Sequence, residues 1–250
     1  MPRHVSVAGK GGTGKTTLAA LLIRYLLEHG RGPVLAVDAD ANANLHEALG
    51  IPRPTSISDI LDEIRGGGRP PAGMSREAYV EYRLSQALSE STQVDLLVMG
   101  GPEGPGCYCY PNELLRRHMT RLAGNYRYLV MDNEAGLEHL SRRVAESVDV
   151  MFITSDVSVR GVRSAARIAE LARSLDMGVG AFYLILTKAR GDEPEVLKPH
   201  LEEAGLQLGG VIPYDPLVEE YDLHGRPLFQ LPANSPAVRA VMRMLEELAV

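Results

Sequence analysis

Residues 9 to 17 read Gly9-Lys10-Gly11-Gly12-Thr13-Gly14-Lys15-Thr16-Thr17, between the apolar run Val5-Ser6-Val7-Ala8 and a segment with apolar residues at Leu18, Leu21, Leu22, Tyr25 and Leu26. The first run predicts a short buried strand. The second predicts a helix from Thr16 to His29, because its apolar residues recur at helical spacing. Gly30 stands where such a helix would end. A glycine-rich turn that leads a buried strand straight into a helix restricts the architecture to strands and helices in alternation, with the turn at the carboxyl end of its strand.

The rest of the chain keeps that alternation. Further strands are predicted at Val34-Leu35-Ala36-Val37, Leu96-Leu97-Val98-Met99, Tyr128-Leu129-Val130-Met131, Val150-Met151-Phe152-Ile153 and Phe182-Tyr183-Leu184-Ile185-Leu186, with a weaker one around Gly210-Val211-Ile212. Helical patterns lie between most of them, including Val159 to Leu175 and a last segment from Pro236 to Leu248. Near-continuous apolar strands alternating with amphipathic helices imply an α/β fold, a mainly parallel sheet with helices on both faces. One domain over residues 1–250 is expected, with a flexible insert near 65–75 at Gly66-Gly67-Gly68-Arg69-Pro70-Pro71.

The turn itself carries chemistry. It matches the pattern G-x-x-x-x-G-K-S/T, and it has the required strand before it and helix after it. Glycines let backbone N–H groups turn toward phosphate oxygens, and the helix amino terminus adds a partial positive charge. The backbone of Gly11, Gly12, Thr13 and Gly14 would line the phosphates, with Thr17 beside them. Lys15 is expected to bridge the terminal phosphates and the Thr16 hydroxyl to coordinate Mg²⁺. The chain is therefore read as a single-domain P-loop NTPase.

Composition sharpens this. Only four of the 26 basic side chains are lysines, Lys10, Lys15, Lys188 and Lys198. Two of those four fall five residues apart in the glycine turn, where a compact ammonium fits between phosphate oxygens better than a planar guanidinium. The formal net charge of −6 argues against broad nucleic-acid binding, which needs a basic face. No apolar stretch is long enough to span a membrane, and the amino terminus carries no secretory signal, so the cytoplasm is the expected location.

With Lys10 included, the Lys-Gly-Gly-Thr-Gly-Lys-Thr-Thr run resembles the deviant Walker A ATPases, the group that holds MinD, ParA, the nitrogenase iron protein and the arsenite pump ATPase. The resemblance implies ATP as the nucleotide and a homodimer in which Lys10 reaches the partner's nucleotide. Asp38 and Asp40 follow the second strand, where carboxyl ends line the ligand crevice of open α/β sheets. By resemblance this is the first switch loop, with Asp40 positioning the attacking water and Asn44 where some relatives put an acid on the Mg²⁺ side. Asp132 ends another apolar strand in the form of a Walker B acid holding the metal's waters. The following Asn133-Glu134-Ala135-Gly136-Leu137-Glu138-His139 looks like the second switch, with Gly136 near the γ-phosphate; Glu134, Glu138 and His139 read equally well as helix caps or solvated groups. For the base, Thr187-Lys188 stands where relatives often place an asparagine, and Ile212-Pro213-Tyr214-Asp215 looks like the adenine-side loop. ATP over GTP thus rests on kinship.

Cys107 and Cys109 are the only cysteines. A disulfide between residues two apart is strained, so the pair reads as a ligand set or a redox pair. Two thiolates do not close a coordination sphere, but a second copy across a twofold axis supplies four sulfurs, which suits tetrahedral Zn²⁺ or square-planar Ni²⁺. Gly104-Pro105-Gly106-Cys107-Tyr108-Cys109, together with residues Asp132 to Arg143, resembles the CooC/AcsF nickel-insertion ATPases. That likeness implies Ni²⁺ bound between subunits, with carbon monoxide dehydrogenase or acetyl-CoA synthase as client. Two rivals share the loop. One is an ATP-dependent reductase like the nitrogenase iron protein, which needs two well-separated cysteines per subunit. The other is a positioning ATPase like MinD or ParA, which binds membrane or DNA; the mixed charge of the last helix and the acidic balance speak against both surfaces.

Overall fold

The computed structural model describes residues 2–68, 70–92, 94–100, 117–134, 147–175 and 178–250. Seven strands form one sheet: β1 (Arg3–Gly9), β2 (Val34–Ala39), β3 (Val94–Val98), β4 (Tyr128–Asn133), β5 (Val148–Asp156), β6 (Val179–Ala189) and β7 (Gln207–Pro213). Their order across the sheet is β3-β2-β4-β1-β5-β6-β7, and every pairing between them is parallel. All seven expected strands are present, including the weak one.

The helices are α1 (Lys15–Glu28), α2 (Leu45–Leu49), α3 (Ile57–Arg65), α4 (Arg76–Gln86), α5 (Val159–Ser174), α6 (Glu193–Glu203), α7 (Pro216–Leu223) and α8 (Pro236–Glu247). A strand buried on both faces sends alternate side chains to opposite sides, and the core divides accordingly. Val5, Val7, Val34, Ala36, Val150 and Phe152 pack with α1 and α8 on one face. On the other, Leu35, Val37, Leu129 and Met131 meet α3 and α4, while Met151, Ile153, Leu184 and Leu186 meet α5 and α6. Residues 66–68 lie in the connection between α3 and α4.

This arrangement positions the site. β1 is flanked by β4 and β5, so the turn that follows β1 emerges between the ends of its two neighbours. The register sets Val7 beside Asp132 and Asp38 beside Asp132. On the other flank it sets Gly9 beside Thr154 and Asp156 beside Thr187. No helix among the described residues is long and apolar enough to cross a membrane.

Candidate functional site

The glycine turn is held from outside by neutral hydroxyls. An ideal Cβ on Gly9 would lie 2.2 Å from Thr154 Oγ1, so only glycine lets β1 and β5 approach this closely. The freed space admits a bond between the Thr13 and Thr154 hydroxyls at 2.8 Å, and Thr13 Oγ1 also donates to the Lys10 carbonyl at 2.7 Å. Thr187 Oγ1 lies 3.0 Å from the Thr13 carbonyl and 3.1 Å from the Ser155 carbonyl. Lys188, in a left-handed backbone conformation (φ 60°), extends Nζ to the Gly12 carbonyl at 2.9 Å. Gly14, at φ 79°, begins α1 without a side-chain cap, so the first N–H groups of that helix face the turn.

Carboxylates gather on the opposite flank. Asp38 is fully buried, accepting the Leu45 N–H on Oδ2 at 2.8 Å and the Asp40 N–H on Oδ1 at 3.1 Å. Those bonds pin the start of α2 and the position of Asp40. Asp40 in turn accepts both N–H groups of Asn42 on Oδ1, at 2.9 and 3.0 Å, and lies 3.7 Å through Oδ2 from Lys15 Nζ. Lys15 is only 7% exposed, and its charge is therefore shared with an acid held in place by two other residues. The Thr16 hydroxyl donates to Asp132 Oδ2 at 2.6 Å. The other oxygen of Asp132 is buried with no hydrogen-bond partner among the described residues. Burial pushes the Asp132 carboxyl up to about 7, with the Asp38 charge adding to it against the pull of the Thr16 hydroxyl and the Lys15 ammonium. Asp38 rises to about 6 for the same first reason, opposed by its two backbone hydrogen bonds.

A second cleft opens beyond Gly14, lined among others by Thr17, Thr187, Ile212, Pro213 and Tyr214. Tyr214 is fixed by its N–H to the Ala189 carbonyl at 2.8 Å, by its hydroxyl to Glu219 at 2.6 Å, and by the Arg190 guanidinium 3.9 Å over its ring. Asp215 lines this cleft too, but its carboxylate is occupied elsewhere. It accepts the Leu217 N–H at 3.0 Å, the Ala237 N–H at 3.1 Å and the Ser235 hydroxyl, capping α7 and α8 together.

The structure thus brings Lys15, Thr16, Asp38, Asp40 and Asp132 to one side of the turn, and Thr17, Thr187, Pro213 and Tyr214 to another. Lys10 is exposed, and its side chain makes no hydrogen bond or ion pair with a described residue. Asn44 is exposed at the start of α2 and makes no side-chain cap. Gly136, Glu138, His139, Cys107 and Cys109 lie outside the described residues. Among the described residues no cluster of His, Cys, Asp or Glu is arranged to hold a metal ion. Thr154, the bond of Lys188 to the Gly12 carbonyl and the Arg190–Tyr214–Glu219 stack escaped the sequence reading. The one available signal was Lys188, a scarce residue type at a strand end.

Turn, helix and strand-end acids define a P-loop ATPase. The chain belongs to the CobQ/CobB/MinD/ParA nucleotide-binding domain family, whose model matches residues 5–228. It is 40% identical to an ATP-binding protein of Methanocaldococcus jannaschii, over 98% of this chain and 97% of that one. It is 32% identical to the carbon monoxide dehydrogenase accessory protein CooC of Rhodospirillum rubrum, over 97% of this chain and 96% of that one. Among solved structures, the septum site-determining protein MinD of Pyrococcus horikoshii, complexed with Mg-ADP, shares the fold with a TM-score of 0.69 at 23% identity, over 99% of this chain and 96% of that one.

Proposed function

We propose that this ATPase is a metallochaperone: a homodimer that holds Ni²⁺ at Cys107 and Cys109 from both subunits and delivers it to carbon monoxide dehydrogenase or acetyl-CoA synthase. The observation that carries the reading is the near-full-length similarity to CooC, whose name ties it to carbon monoxide dehydrogenase, in a chain whose only cysteines form a Cys-x-Cys pair.

Mg²⁺ suits the residues present. The Thr16 hydroxyl and the Asp132 carboxylate converge and would hold a hydrated divalent cation, which would give a partner to the Asp132 oxygen that has none among the described residues. Such an ion would supply charge neutralisation to the phosphates. The chain's own groups do the rest. Lys15 exchanges Asp40 for phosphate oxygens when ATP enters, and the backbone N–H groups of Gly11 to Gly14 hold the anion. Asp40, anchored by Asp38 and Asn42 and released from Lys15, is left to orient the attacking water. Lys10, which pairs with no described residue of its own subunit, reaches the partner's phosphates. The cleft lined by Thr187, Pro213 and Tyr214 takes the adenine.

Metal content and solution mass, measured with and without ATP and Ni²⁺, test this. The expected result is a dimer carrying shared nickel that Cys107→Ser/Cys109→Ser loses while still binding ATP. Unchanged nickel stoichiometry in that variant refutes the metal assignment, and a chain that stays monomeric under every condition refutes the shared site. Visible iron–sulfur absorption after anaerobic purification would favour the reductase. ATP-dependent pelleting with liposomes or DNA would favour a positioning ATPase.

A further inference from the structure

Helix α5 follows β5 directly, starting from Ser158, whose hydroxyl accepts the Gly161 N–H at 3.0 Å. Val162, Ala165 and Ala169 are buried against the sheet. On the opposite face, at spacings of three and four, stand Arg160, Arg163 and Arg167, all exposed. None of the three side chains makes a hydrogen bond, ion pair or ring contact with a described residue. Acids are not scarce, since the chain has 32 Asp and Glu against 26 Lys and Arg. Several other arginines find partners: Arg24 with Glu28, Arg83 with Glu63, Arg121 with Glu81, Arg226 with Glu220, Arg173 over Phe182 and Arg190 over Tyr214. Arg239 and Arg243 on α8, exposed like the stripe, make no such contact with a described residue.

The stripe is unfavourable for the helix by itself. Like charges three and four residues apart repel. They begin at the amino-terminal end, where the helix dipole already supplies positive charge, and the first turn contains no acid. Its position also matters. Arg160 lines the same cleft as Lys10, Thr154 and Asp156, on the flank of the turn away from Asp38, Asp40 and Asp132.

We propose that Arg160, Arg163 and Arg167 form the docking surface for an acidic face of a partner protein, seated beside the nucleotide. The inference holds whatever the cargo and does not depend on nickel. Guanidinium groups pair with carboxylates in bidentate geometry, and a carboxylate-bearing surface relieves both the mutual repulsion and the clash with the dipole. A protein face fits better than nucleic acid. The stripe spans roughly 10 Å of helix axis, from the rise per residue, and proteins that engage a duplex neutralise about six to ten phosphates.

The test uses the full chain and a fluorescein-labelled polyglutamate peptide, followed by anisotropy at low salt. The wild type should bind, and added salt should weaken the complex. Arg163→Glu/Arg167→Glu should weaken binding by about tenfold or more, since opposed charges at a contact become like charges. Arg239→Glu/Arg243→Glu on α8, an equal charge change on another exposed helix, should leave binding as it was. Melting temperature and basal ATP hydrolysis should match the wild type in both; if the reversal does not fold, Arg163→Gln/Arg167→Gln replaces it. Equal loss in the two double variants, or no loss in the first, overturns the proposal. So does tighter binding of a DNA duplex or of phosphatidylglycerol vesicles through the same arginines.

Discussion

The two flanks of the phosphate turn solve different problems. Toward β5 and β6, hydroxyls of Thr13, Thr154 and Thr187 and the ammonium of Lys188 take up the turn's own carbonyls and one another. Toward β2 and β4, three carboxylates crowd around one lysine and one hydroxyl, and an oxygen of Asp132 has no partner among the described residues. Among the described residues the first flank leaves no buried side-chain polar atom without a partner, and the second leaves one, the Asp132 oxygen that the proposed cation would meet. The shape of the turn is therefore held by three hydroxyls and one ammonium, and the carboxylates are kept on the other side.

If that division is right, the largest losses of activity lie on the charged flank. Lys15→Met removes the ammonium that bridges the phosphates, and ATP hydrolysis should fall by on the order of 10³, the upper range for removing one preorganised electrostatic donor. A steady-state phosphate-release assay reads this. A variant retaining a tenth of wild-type turnover would show that Lys15 serves Asp40 rather than the substrate.

Asp132→Asn separates function from stability. Hydrolysis should drop by about 10² or more, yet the nucleotide-free protein should melt higher. The amide removes a buried carboxylate whose charge is poorly compensated and keeps an acceptor for Thr16. A lower melting temperature for the variant would mean that the acid is better satisfied than its geometry indicates.

The same flank sets a pH dependence. Asp132 at about 7 and Asp38 at about 6 both exceed the ordinary carboxyl value of 3.8, so the folded chain retains protons there that the unfolded chain has already released. Their contribution to stability is fully present below pH 3.8 and is lost as pH rises through about 6 and about 7. Melting temperatures of the nucleotide-free wild type should show that component falling over this window. Asp132→Asn should fall less. Parallel curves for the two proteins would assign the pH effect to other groups.

The sequence made the charged flank legible because its residues belong to contiguous patterns. Lys15 and Thr16 sit at fixed offsets in a glycine turn, and Asp38, Asp40 and Asp132 end or follow apolar strands. All seven strands were visible for the same reason, since burial on both faces writes an apolar run. The neutral flank was far less legible. Thr154 looks like any strand threonine until β5 is placed beside β1, and Gly9 demands that neighbour only in three dimensions. Thr187 was read as a contact for the base, and Asp215 likewise. Both line the cleft proposed for the adenine, but the bond of the Thr187 hydroxyl to the Thr13 carbonyl and that of the Ala237 N–H to the Asp215 carboxylate, each between residues distant in sequence, were not legible.

The smallest expected effects test the neutral flank. Thr154→Val keeps the volume near Gly9 but removes the hydroxyl that meets Thr13 at 2.8 Å and the Ala8 carbonyl at 3.2 Å. Thr13 retains its bond to the Lys10 carbonyl, so the turn loses one restraint and keeps its path. A neutral hydrogen bond of this kind contributes about 1 kcal/mol, roughly fivefold in an equilibrium constant. Because the turn meets the phosphates in ground and transition states alike, the loss should appear in KM with kcat nearly unchanged. Lys188→Met should behave in the same way, by freeing the Gly12 carbonyl while keeping the apolar stem along the cleft. A fall in kcat as large as that in Asp132→Asn would mean that the hydroxyl flank takes part in catalysis, and the division between a prepared side and a charged side would not stand.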